Sequence, residues 1–131
     1  MDEYTPAIAS FQSSLFLFQQ LGDEYIPEQL ELLRYIGVSH LLAENYASAL
    51  AFLERGLELA NELGDRETAY RLLLPLTYAA YNVGDYDRAI LYAREALTLV
   101  AEFGDPKAQR MLQSMLLDAE QQLTISRKQR A

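Results

Sequence analysis

Residues 4–23 (YTPAIASFQSSLFLFQQLGD), 46–65 (YASALAFLERGLELANELGD) and 86–105 (YDRAILYAREALTLVAEFGD) are three copies of one pattern. Tyr4, Tyr46 and Tyr86 align, and so do Ala7, Ala49 and Ala89, each followed by Ile or Leu. Ser14, Gly56 and Ala96 put a small residue at one register position, with Leu15, Leu57 and Leu97 after it. Every copy closes on an apolar residue, Gly and Asp, and the glycines Gly22, Gly64 and Gly104 recur at spacings of 42 and 40 residues. A register kept over twenty residues in three places marks a repeat architecture.

Within a copy the apolar residues follow helical spacing, as in Ala49, Leu50, Leu53, Leu57 and Ala60, which makes one buried stripe. The closing glycine is the residue that most cheaply takes the left-handed conformation beyond a helix end. The aspartate after it can cap the next helix, and Pro106 and Pro6 suit first helical positions. Residues 27–43 and 67–83 read as the intervening helices, running into turns at Glu44-Asn45 and Gly84-Asp85, and residues 106–125 form the last one. The expectation is an all-α chain of about six helices in two alternating types, joined by loops short enough to make neighbours antiparallel.

On these residues the chain resembles the tetratricopeptide repeat (TPR) family. Leu33, Ile36-Gly37, the turn Glu44-Asn45-Tyr46, Ala49 and Gly56 fill that family's pattern, and Leu73, Leu76, Gly84-Asp85-Tyr86, Ala89 and Ala96 fill it again. Thr77 stands where the pattern has glycine, and His40 and Ala80 where it has an aromatic. The period of about 40 exceeds the commoner 34 and is similar to the long-period repeats of kinesin light chain. The resemblance implies a right-handed α-solenoid over residues 4–125: a half-repeat 4–23, repeats 27–65 and 67–105, a half-repeat 106–125, and a flexible basic tail at 126–131.

The resemblance also implies that the first-type helices line a concave groove. Its wall residues are Glu31, Arg34, Tyr35, Val38, Leu41 and Leu42 from one helix, Arg71, Leu74, Tyr78, Tyr81 and Asn82 from the next, and Met111, Ser114, Met115, Asp118 and Gln121 from the last. Chaperone-binding members grip a carboxylate with Lys and Asn. Here the basic residues are Arg34 and Arg71, and the asparagine positions hold Val38 and Tyr78, so no carboxylate clamp is expected. The groove reads as aromatic and aliphatic with an acidic rim, suited to an amphipathic helix or an extended apolar segment with basic flanks.

The first helix is apolar beyond what one buried stripe needs: Phe11, Leu15, Phe16 and Phe18 fall within eight residues and cannot share one face. A solenoid unit does not bury its own end. The expectation is self-association into a homodimer through this helix, against the alternative that its aromatics fold back on the monomer. Pro75 either kinks a helix by removing the bond to the carbonyl of Arg71 or marks a late helix start, and both make residues 70–76 the least regular stretch.

Chemistry-bearing constellations are sparse. The 131 residues include no cysteine and a single histidine, His40, which reads as a satisfied residue of a packed helix face. Glu54, Glu58 and Glu62 read as a solvated helix face, and Asp85 and Asp87 as a turn with its cap. No phosphate-binding glycine loop or metal-ligand spacing is present, so neither an enzyme nor a cofactor is expected. Net charge is −8, and the last five residues hold three of the eleven Lys and Arg, leaving a body at −11 that disfavours nucleic acid. No apolar run spans a bilayer and the start is acidic, so a cytoplasmic location is expected. The function expected is a non-catalytic protein-interaction module binding a peptide or helix, with a structural or regulatory homo-oligomer as the alternative.

Overall fold

The computed structural model describes residues 3–130. Among them the chain forms six α-helices: α1 (Thr5–Leu21), α2 (Ile26–Leu42), α3 (Tyr46–Leu63), α4 (Arg66–Val83), α5 (Tyr86–Phe103) and α6 (Pro106–Arg130). A single 3-10 turn, Asp23–Tyr25, sits before α2. Each helix packs on the next in chain order, and α2 also touches α4, and α4 touches α6. No helix of the described residues is long and apolar enough to cross a membrane.

The helix ends follow from local chemistry. Asp65 accepts from the Thr68 N–H at 3.1 Å, Asp85 from the Arg88 N–H at 3.1 Å, and Asp105 from the Ala108 N–H at 2.7 Å. Each satisfies one of the amide donors that a helix start leaves open. Asp23 differs, opening the 3-10 turn while α2 begins only at Ile26. Gly64 (φ 68°) and Gly84 (φ 86°) take the left-handed conformation, as does Glu44 (φ 63°) at the corresponding turn after α2. Gly104 does not: its φ is −109°, and glycine is needed there for space, because a Cβ would run into the Tyr70 hydroxyl and Val100.

Two expectations are corrected. Pro75 lies inside α4, which runs unbroken from Arg66 to Val83, so it does not mark a late helix start and residues 70–76 are helical throughout. The last helix does not stop near 125: α6 continues to Arg130, placing residues 126–130 of the expected tail in regular helix, and Ala131 lies outside the described residues. No proline or glycine interrupts that stretch, and its basic residues favour a helix C-terminus.

The main core runs from α2 to α6 through Leu50, Leu53, Leu72, Leu73, Leu76 and Leu112. Small residues set the helix spacing: Ala49 and Ala96 at repeat positions, with Ala60, Ala79, Ala80 and Ala93, are fully shielded from solvent. Thr77, in the glycine position of the pattern, is buried and donates its hydroxyl to the Leu73 carbonyl at 2.7 Å, so its polar atom is satisfied within its own helix. A smaller cluster of Ile8, Leu15, Leu33 and Ile36 seats α1 on α2.

Candidate partner-binding cleft

Six of the expected groove residues come together. Tyr78, Tyr81 and Asn82 of α4 and Met111 and Met115 of α6 line an open cleft of about 420 Å³, with Asp118 as the sixth wall. Helical spacing explains the convergence: Tyr78, Tyr81 and Asn82 lie three and four residues apart on α4, as Met111, Met115 and Asp118 do on α6. Tyr78 and Met111 are each about half exposed, 46% and 48%.

The tyrosines are held in place. Tyr81 donates its hydroxyl to Asp118 at 2.5 Å, and its ring meets Tyr86 edge-on at 5.5 Å. The Asp118 carboxylate and partial desolvation push the Tyr81 hydroxyl up to about 12. Tyr78 meets Tyr46 edge-on at 6.0 Å. Asn82 donates its side-chain amide to the Tyr78 carbonyl at 2.8 Å. Tyr46 and Tyr86, the repeat tyrosines at the starts of α3 and α5, thus buttress the cleft tyrosines from outside it. Their alignment in the sequence marks them as repeat positions, but it does not show their pairing with Tyr78 and Tyr81.

The remaining groove residues lie outside this cleft. Val38, Leu41 and Leu74 pack against the main core, leaving them half-buried. Arg34 pairs with Glu31 at 2.9 Å and sits over the Tyr35 ring at 5.0 Å. Arg71 pairs with Glu67 at 3.0 Å. Both groove arginines are therefore matched by an acid one turn away on their own helix. The Tyr35 hydroxyl and the Arg34 guanidinium hold the Glu31 carboxyl below its ordinary value.

The first-helix set splits in two. Leu15 is 5% exposed and belongs to the small core, so it presents nothing to a partner. Phe11 stacks on Tyr35 at 5.4 Å, and Phe18 packs on Tyr25 at 5.4 Å. Phe16 points the other way. It is 60% exposed, beside Leu17 at 62%.

A second depression, about 490 Å³, opens on the α3 and α5 side and is lined by Glu54, Arg55, Glu58 and Tyr92 among others. It is charged, and its Glu54 already accepts from Arg88 at 2.8 Å and from the Tyr92 hydroxyl at 3.0 Å. His40 is half-buried with its ring stacked on Phe52 at 5.5 Å. Among the described residues no three His, Cys, Asp or Glu side chains gather as a metal site would require.

A scan of the sequence against protein-family models finds no match, and a search of curated proteins finds none either.

Proposed function

We propose that this chain is a non-catalytic protein-interaction module of the tetratricopeptide type. Its helices form antiparallel pairs in a right-handed α-solenoid, and its ligand is an apolar peptide or helix with basic flanks. The observation that carries this reading is the meeting of Tyr78, Tyr81, Asn82, Met111, Met115 and Asp118 in one cleft. Aromatic and methionine walls supply apolar contact area with adaptable shape, and one carboxylate favours a basic neighbour over an acidic one. Two further facts support the arrangement. The loops at residues 64–65, 84–85 and 104–105 hold two residues each, and connections that short favour antiparallel neighbours. The contacts of α4 with both α2 and α6 support a reading in which these three helices line the inner side of a curved array.

The test is capture of binding proteins by the immobilised chain, comparing wild type with a Tyr78→Ala, Met111→Ala double variant and with Leu91→Ala. Leu91 is exposed on α5, away from the cleft. The expected result is loss of captured proteins with the double variant alone. Equal capture by all three proteins rules out the cleft as the binding site.

A further inference from the structure

We propose that α1 pairs with α1 of a second copy, antiparallel about a two-fold axis, through its outer face.

Charge singles this helix out. The stretch Thr5–Leu21 contains no Asp, Glu, Lys or Arg, whereas each of the other five helices carries several. The chain as a whole is at −8, so most surfaces of two copies repel one another. A contact made through the outer face of α1 puts no charged side chain of that helix against the other copy.

Shape points the same way. The inner stripe of α1, Tyr4, Ile8, Phe11, Leu15 and Phe18, packs toward α2 and its neighbours. The outer face carries Phe16, Leu17 and Leu21, all more than half exposed. Beside them lies a shallow depression lined by Ala9, Gln12, Ser13, Phe16 and Leu17. Residues 9, 12, 13 and 16 stand at i, i+3, i+4 and i+7, the four corners of a hole on a helix surface, and the small Ala9 and Ser13 keep it open. Phe16 of a second, antiparallel helix fills such a hole, and the two-fold axis repeats the contact in reverse. One face thus carries both the knob and the hole, as an isologous interface requires.

The outer face of α6 does not fit α1. On α4, Tyr70 meets the ring of Phe103 at 6.2 Å, and Leu73, Thr77 and Ala80, at helical spacing from it, are buried. Counting from the capping aspartates Asp65 and Asp105, the corresponding α6 residues are Arg110, Gln113, Leu117 and Glu120. That stripe is mostly polar, and Leu117 is bulkier than the buried Thr77. A head-to-tail chain of copies joining α6 to α1 is thereby disfavoured, and a closed dimer is left. A single helix face is smaller than a standard protein interface, so the pairing is expected to be weak and concentration-dependent.

Light scattering on a size-exclusion column tests the proposal at micromolar concentration and above. The wild-type mass is expected to rise from 14.9 kDa toward twice that value as concentration increases. Phe16→Glu is expected to stay at the single mass with unchanged helical circular dichroism, and Leu117→Glu to behave as wild type. Because the chain lacks cysteine, Ser13→Cys near the axis is expected to form an intermolecular disulfide on mild oxidation. Gln20→Cys is expected not to, since its two copies lie roughly 17 Å apart along the helices at 1.5 Å per residue. A wild type of single mass at every concentration overturns the proposal. So does dimer loss in Leu117→Glu alone, or equal cross-linking from both cysteine positions.

Discussion

Leu53 of α3 occupies the space that Gly37 of α2 leaves open: a Cβ on Gly37 would lie 2.5 Å from both Cγ and Cδ2 of Leu53. Leu53 is fully shielded from solvent, so it has little room to move aside. Gly37→Ala gains about 1 kcal/mol of helix propensity and loses about 1–3 kcal/mol to overpacking, a net destabilisation. Gly56 is the contrasting case. A Cβ there meets Leu72 at 3.4 Å, and the matching residue of the next copy is already Ala96, fully buried. Gly56→Ala is expected to stabilise by about 0.5–1 kcal/mol. Chemical denaturation of both variants checks the opposite signs, and two shifts of the same sign would refute the distinction.

Glu44 holds a left-handed backbone at φ 63°, where the equivalent turn has Gly84 at φ 86°. A side chain with a Cβ costs about 1 kcal/mol in that region relative to glycine. Glu44→Gly therefore relieves strain in the folded chain, although it adds freedom to the unfolded one. The expected outcome is a thermal midpoint raised by a few degrees, read by circular dichroism. A lowered midpoint would mean that the Glu44 side chain contributes more than its backbone strain takes away.

The cap at Asp65 gives a pH dependence. The Thr68 hydroxyl at 2.6 Å and the Thr68 N–H at 3.1 Å both donate to its carboxylate and hold its pKa below the ordinary 3.8. A carboxyl with a depressed folded-state pKa contributes stability that is fully present above the unfolded value and is lost as pH falls through the folded one. Asp65→Ala is thus expected to cost about 1 kcal/mol at neutral pH. Its deficit against wild type should shrink as pH drops below 3.8. A deficit that stays constant into acid would show that the negative charge plays no part in the cap.

Much of this fold was legible because its determinants are local. Gly64, Gly84, Asp65 and Asp105 act at helix ends, where a residue's own backbone preference or a bond three residues away decides the outcome. The pairing of Arg34 with Glu31 and of Arg71 with Glu67 was also within reach, since both fall at helical spacing. Gly104 was read by the same local rule and behaves otherwise, because what it accommodates is Tyr70, on another helix. Phe11 and Phe16 show the same limit. Composition flagged the helix as too apolar for one face, but only the contact with Tyr35 assigns Phe11 to the inside. Of the groove, the α4 and α6 residues gather in a cleft, while Val38, Leu41 and Leu74 serve the core. Periodicity alone does not separate those two uses of one helix face.

Tyr81 links the cleft to a measurable titration. Its hydroxyl bonds to Asp118, which lies 37 residues away on α6, and this bond is the first cause of its rise from 10.0 to about 12. A group whose folded-state pKa is raised contributes stability that is complete below the unfolded value and is lost as pH climbs through the folded one. That loss should occur between pH 10 and about 12. Of the nine tyrosines, Tyr35, Tyr46 and Tyr70 are raised as well, but Tyr81 and Tyr92 are raised furthest and should ionise last, Tyr92 because of burial and its bond to Glu54. Asp118→Asn removes the charge while keeping an acceptor oxygen, so the Tyr81 hydroxyl should return toward 10 and leave Tyr92 behind. Ultraviolet titration of tyrosinate absorbance in the two proteins reads this as one tyrosine moving from the late wave to the main one. If the late wave is unchanged in Asp118→Asn, the carboxylate does not set the state of Tyr81, and the bond between α4 and α6 does not hold the cleft in solution.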